Sequence, residues 1–209
     1  MRWMDTRLMT SALLASALLV GLSGCALASH AAVGHSYTPQ TAGQYVPRDD
    51  DGDPQDIRVD MIAPLTSETD AVNTARRAAE LIQNGVGNAS VGLSVQYWTS
   101  ATRAEQLAHA RSALDTFSRV LLLPCSALAD GEVDNWMSIL KNARSRVIPV
   151  IIYCENASSE RSGGIDSLYT AAYWNLNADG RTSAYEAIMS VVEDRPHEDV
   201  ISTRIEEEE

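Results

Sequence analysis

Val120-Leu121-Leu122-Leu123 and Val147-Ile148-Pro149-Val150-Ile151-Ile152-Tyr153 decide the fold. Each is a short apolar run with no polar alternation, the pattern of a strand covered on both faces, as in a parallel sheet. Between them Val133, Trp136, Leu140 and Ala143 recur at helical spacing. Asp130 is the expected cap of that helix, which runs to about Ser145. Strand, helix, strand with a crossover of this length implies parallel pairing and a right-handed connection.

Working outward, the same alternation repeats. Ile57-Arg58-Val59-Asp60-Met61-Ile62-Ala63 reads as a first strand. Turn residues follow from Pro64 to Thr69, with Ser67 and Asp70 as a weak capping pair. Val72, Ala75, Ala79 and Ile82 then mark a helix that Gly85 closes. Val91 to Trp98 reads as a second strand. Thr102 with Glu105 forms a capping box ahead of a helix with Leu107, Ala110, Leu114 and Phe117 inward. Further helices are expected over 165–176 and 183–193. Pro149 lacks an N–H for the ladder, which places its strand at a sheet edge. The expected fold class is α/β, a three-layer sandwich with a parallel sheet of about four strands over residues 57–193 and an acidic tail over 194–209.

The N-terminus carries different information. Arg2 and Arg7 precede the apolar run Leu8 to Leu22, which is shorter than the roughly 20 residues that span a bilayer. This is the n-region and h-region of an export signal. It ends in Leu22-Ser23-Gly24-Cys25, which resembles the lipobox of bacterial lipoproteins. The resemblance implies removal of residues 1–24, acylation of Cys25 and a membrane-lipid partner held through that residue. Several acyl chains make such anchoring effectively permanent, where one gives marginal binding. Ala26, rather than the aspartate that family sorting rules read as an inner-membrane signal, implies the outer membrane, on its periplasmic face.

Residues 25–56 read as a disordered tether of Ala, Ser, Gly, Thr, Gln and Pro, too polar to bury a core, with a root-mean-square reach of roughly 30 Å. Its end, Asp49-Asp50-Asp51-Gly52-Asp53, fails as an EF-hand. With Gly52 at loop position six, Pro47 and Arg58 fall where carboxylates are required. It reads as a solvated acidic run.

The 209 residues carry a net charge of −12 and a single lysine, Lys141, which argues against a nucleic-acid partner. Without residues 1–24 the charge is −13, of which 48–56 hold −4 and 194–209 hold −5, so the domain between them is near neutral at −4. The chain has 3 cysteines. Cys125 and Cys154 lie just past two strands that this topology sets side by side, so in an oxidising compartment they are expected to pair.

Catalytic signatures are sparse. The chain lacks a Gly-x-Ser-x-Gly elbow, a P-loop, a His-Glu-x-x-His, a Cys-x-x-Cys and any metal-ligand or cofactor motif. Ser138-Ile139-Leu140-Lys141 matches Ser-x-x-Lys but lies within the third helix. Tyr97-Trp98 and Tyr173-Trp174 read as core aromatics. Ligands in such sheets sit beyond the carboxyl ends of strands, which makes Glu68, Asp70, Asp130 and Glu132 the candidate catalytic carboxylates.

Arg119 to Leu123, Ser126, the helix around Trp136 and Val147 to Ile151 are together similar to the second half of TIR-like domains and related nucleoside-cleaving Rossmann-like folds. The resemblance implies a Rossmann-like fold. Those families carry a glutamate just after the aromatic position; Ser138 to Leu140 offer none, and Glu132 and Asp134 stand one turn earlier. Two readings follow. The favoured one is a non-catalytic, lipid-anchored binding or assembly module of the cell envelope with a protein partner. The other is a small periplasmic hydrolase or glycosidase using the strand-end carboxylates.

Overall fold

The computed structural model describes residues 32–34, 57–84, 93–116, 118–128, 131–155, 165 and 168–204; Cys25, Phe117 and Asp130 lie outside them. In chain order the elements are β1 (Ile57–Leu65), α1 (Thr69–Asn84), β2 (Leu93–Ser100), α2 (Arg103–Asp115), β3 (Val120–Pro124), a 3-10 turn (Cys125–Leu128), α3 (Val133–Ser145), β4 (Val150–Cys154), β5 (Ala172–Asn175), β6 (Asn177–Arg181), α4 (Ala184–Val192) and β7 (Val200–Arg204).

The strands form one sheet in the order β2-β1-β3-β4-β5-β7-β6. Neighbours are parallel throughout, except that β6 runs antiparallel to β7. The apolar run 120–123 shows why parallel strands lack alternation. Val120 and Leu122 join the core under α1 and α4, while Leu121 and Leu123 join the core under α2 and α3, all at 0% exposure. Helices therefore cover both faces, and the fold is the expected three-layer α/β sandwich, with more strands than the four read from the sequence.

Side chains at the helix starts follow the expected chemistry. Thr102 Oγ1 accepts from the amide of Glu105, whose Oε2 accepts from the amide of Ala101 at 2.7 Å. Ser183 caps α4 in the same manner, accepting from Glu186 N at 3.1 Å. α3 instead begins at Val133, and Glu132 at its cap makes no side-chain capping bond.

Five expectations are corrected. β4 is central, between β3 and β5, and not an edge strand. Pro149 precedes it, needs no amide there, and still offers its carbonyl to Leu121 N at 3.0 Å. The residues before β4 finish α3: Val147 takes φ 60°, Val147 N donates to Arg144 O at 3.1 Å, and Ile148 N donates to Ala143 O at 2.9 Å. That is a Schellman termination with valine where glycine is usual. The helix expected over 165–176 is absent from its second half, which is β5, with Ala172 and Trp174 buried on one face. The segment 194–209 is not simply an acidic tail, because Val200–Arg204 is β7, inside the sheet and buried at Ile201 and Thr203. Finally, the tether contains a docked piece: Ala32 is 7% exposed, and Gly34 lies against Val191 and Pro149.

β1 also carries a buried charge. Asp60, fully buried, receives two hydrogen bonds of 2.9 Å from the Arg58 guanidinium and one of 2.8 Å from Trp98 Nε1. These partners supply what water would otherwise provide.

Candidate functional site

In sheets wound in both directions, the crevice opens where the strand order reverses, at the carboxyl ends. Here the reversal falls between β1 and β3. A crevice of about 130 Å³ lies there, walled by Pro64 at the end of β1, Ala71 and Thr74 of α1, Ser126, Tyr153 and Glu155. Each wall residue follows from the chain path, since these positions end β1, β3 and β4 or open the first turns of α1.

The crevice floor is held rigidly. Cys125 and Cys154 line it and stand in disulfide contact, with Cα atoms 5.3 Å apart across the β3–β4 pair. That separation is typical of disulfides. Tyr153 is fully buried, and its hydroxyl donates to Ile62 O at 2.6 Å. Burial pushes the Tyr153 phenol well above its ordinary range, and the neighbouring Tyr97 and Glu68 push it further up. It therefore stays a neutral donor. On the other side of β1, Gln106 Nε2 donates to Ala63 O at 2.6 Å, and Arg103 donates to Gln106 Oε1 and, at 2.9 Å, to Ser126 O. The carbonyls at the reversal point are thus tied down by side chains from β4 and α2.

Ser126 lines the crevice. Ser126 Oγ is buried and has no hydrogen-bond partner among the described residues. A buried hydroxyl of this kind costs stability unless something supplies its bond.

The described candidate carboxylates, Glu68, Asp70 and Glu132, do not converge. Glu68 is partly buried on the α1 side, within electrostatic reach of Tyr153. Asp70 is exposed in the first turn of α1. Glu132 precedes α3, in the opposite layer, where it faces Arg103 at 3.8 Å and accepts from Asn135 Nδ2 at 3.1 Å. Asp130 lies outside the described residues, so its placement adds nothing here. Ser138 and Lys141 are both exposed on α3, away from the crevice. Trp174 and Trp136 are core residues at 0% exposure.

Four crevice or supporting residues, Arg103, Gln106, Tyr153 and Glu155, escape a reading of the sequence. Tyr153 and Glu155 had a usable signal, since they flank Cys154 at a strand end. Arg103 and Gln106 had only their place in the first turns of α2. Ser100 Oγ and His109 Nδ1 are 3.0 Å apart, and His109 lies 5.0 Å from Trp98 ring to ring. With Ser100 only 2% exposed, the pair ties α2 to β2. Among the described residues no group of three or more His, Cys, Asp or Glu is placed to hold a metal, and no helix is long and apolar enough to cross a membrane.

No family model matches the chain, and neither a curated protein nor a solved structure matches it significantly.

Proposed function

We propose that the chain is an exported lipoprotein, acylated at Cys25, whose α/β domain is a non-catalytic binding or assembly module of the cell envelope. Its recognition point is the crevice at the β1/β3 reversal. The observation that carries this reading is a small crevice framed by the Cys125–Cys154 pair and lined by Ser126, whose buried hydroxyl has no partner among the described residues. Small-molecule sites commonly enclose roughly 300–1,000 Å³. A crevice of about 130 Å³ suits one protruding group, a single side chain or a chain end of a partner, with Ser126 and Glu155 to bond it. A paired cysteine set supports export, because disulfides persist in oxidising compartments.

The separation of Glu68 from Glu132 across the sheet weighs against the hydrolase or glycosidase reading, which needs two carboxylates flanking one bond. The intact mass of the protein recovered from envelopes tests the anchoring half of the proposal. Acyl chains on Cys25, with Cys125 and Cys154 unavailable to alkylation until reduced, are the expected result. A free Cys25 thiol on an unprocessed chain overturns it. Thermal-shift screening against nucleosides, sugars and peptidoglycan fragments tests the other half, and turnover of any of them establishes the enzyme instead.

A further inference from the structure

Three residues of the N-terminal segment are bound to the domain at the end opposite the crevice. Gly34 sits against Val191, near the end of α4, and Pro149, just before β4; its carbonyl oxygen lies 2.9 Å from Nε2 of His197, which precedes β7. All three partners mark the amino edge of the sheet. The niche admits only glycine. Gly34 has φ +68°, and a Cβ there would stand 2.9 Å from the Val191 carbonyl oxygen and 3.0 Å from Pro149 Cβ. Ala32, two residues earlier, is buried.

From these contacts we infer that Ala32-Val33-Gly34 is a clasp that shortens the leash and turns the domain, so that the amino edge of the sheet faces the membrane and the carboxyl-edge crevice faces away from it. The inference rests on the proposed acylation of Cys25. A leash ending at β1 would be the whole segment 26–56. With the clasp closed it is the six residues Ala26 to Ala31, which cannot carry Ala32 more than about 25 Å from Cys25 in any conformation. Val147, the most exposed large apolar side chain among the described residues at 49%, stands on that same edge beside Arg146. The crevice is then presented to partners on the far side from the lipid.

Two measurements on the full-length processed protein test this. The first reads the clasp without reference to lipid. In an Ala32→Cys variant, maleimide labelling at residue 32 is expected to be at least tenfold slower than labelling of an exposed cysteine placed by Thr66→Cys. Adding Gly34→Ala or His197→Ala should abolish that protection, while His197→Gln, which keeps an N–H donor, should retain part of it. Unhindered labelling of residue 32 overturns the clasp. The second uses acylated protein in phosphatidylethanolamine–phosphatidylglycerol vesicles, with a fluorophore at Ser145→Cys, on the amino edge, or at Thr66→Cys, on the carboxyl edge. Energy transfer to a headgroup acceptor should be markedly stronger from residue 145, and Gly34→Ala should equalise the two. Equal transfer in the otherwise unaltered protein overturns the orientation. Absence of acyl chains on Cys25 by intact mass instead defeats the lipoprotein reading and leaves the labelling result to stand alone. Unchanged melting temperatures of the variants separate clasp opening from unfolding.

Discussion

The hydroxyl of Tyr153 on β4 donates to the carbonyl of Ile62 on β1 at 2.6 Å, reaching past β3, which lies between them in the sheet. Tyr153 lies on the α1 face at the strand end, and its long side chain bridges two strand spacings, roughly 9.5 Å, to reach that carbonyl. Tyr153→Phe removes this donor and leaves the Ile62 carbonyl buried. A loss of about 1–2 kcal/mol is expected, read from denaturant midpoints at unchanged slope. A loss indistinguishable from zero would mean that the bond is not made in solution.

The same residue sets an alkaline limit. Its pKa lies well above the ordinary tyrosine value of about 10 because burial, then Tyr97, then Glu68 disfavour the phenolate. A phenol raised in the folded state gives up its proton first in the unfolded chain. Its contribution is therefore fully present below pH 10 and is lost as pH rises from there through the folded value. Stability should fall above pH 10, less steeply in Tyr153→Phe. Tyr97, also raised by burial, adds a smaller component of the same sign.

Cys125 and Cys154 close a loop with a sequence separation of 29. In the chain-entropy account such a loop contributes about 3.6 kcal/mol, so the double Cys125→Ser, Cys154→Ser variant should melt roughly 7–14 °C lower. Calorimetry with and without reductant checks this. A reductant-insensitive melting temperature for the unaltered protein contradicts the pairing.

Val147 occupies the left-handed position that ends α3, at φ 60° and nearly half exposed. A β-branched residue is strained there by roughly 1–2 kcal/mol, and little packing is lost on its removal. Val147→Gly should therefore stabilise the domain, by about 0.5–1 kcal/mol after the entropy of the unfolded glycine is counted. Denaturant unfolding decides the sign, and destabilisation would show that its side chain packs in solution.

The sheet was legible because its strands are apolar on both faces, and β1 to β4 and the four helices fall where periodicity puts them. Misplacements have local causes. Val147 to Pro149 look like strand, but a Schellman turn needs those residues to stop α3. Tyr173 and Trp174 sit in a stretch whose spacing fits helix as well as strand, and the sheet's need for a partner beside β4 decides it. Val200 to Arg204 were hidden by the acidic residues around them, since a five-residue strand is outweighed in composition by its flanks. Of the site, the cysteine pair and the strand-end position were legible. The tie of Arg103 to Ser126 and of Gln106 to Ala63 was not, because each is a contact between elements whose meeting depends on the finished fold.

Partner binding at the crevice is the property most open to direct measurement. The direct measurement is cross-linked capture from detergent-solubilised envelopes with the unaltered protein and, in parallel, with Thr74→Trp, which fills the crevice, and Ser126→Ala, which removes the unpartnered hydroxyl. One partner at near-equal stoichiometry is expected with the unaltered protein, with its loss in Thr74→Trp and about a five- to tenfold weaker hold in Ser126→Ala, the equivalent of roughly 1–1.4 kcal/mol. The same partner retained at full strength by both variants, each melting as the unaltered protein does, would contradict binding at the crevice.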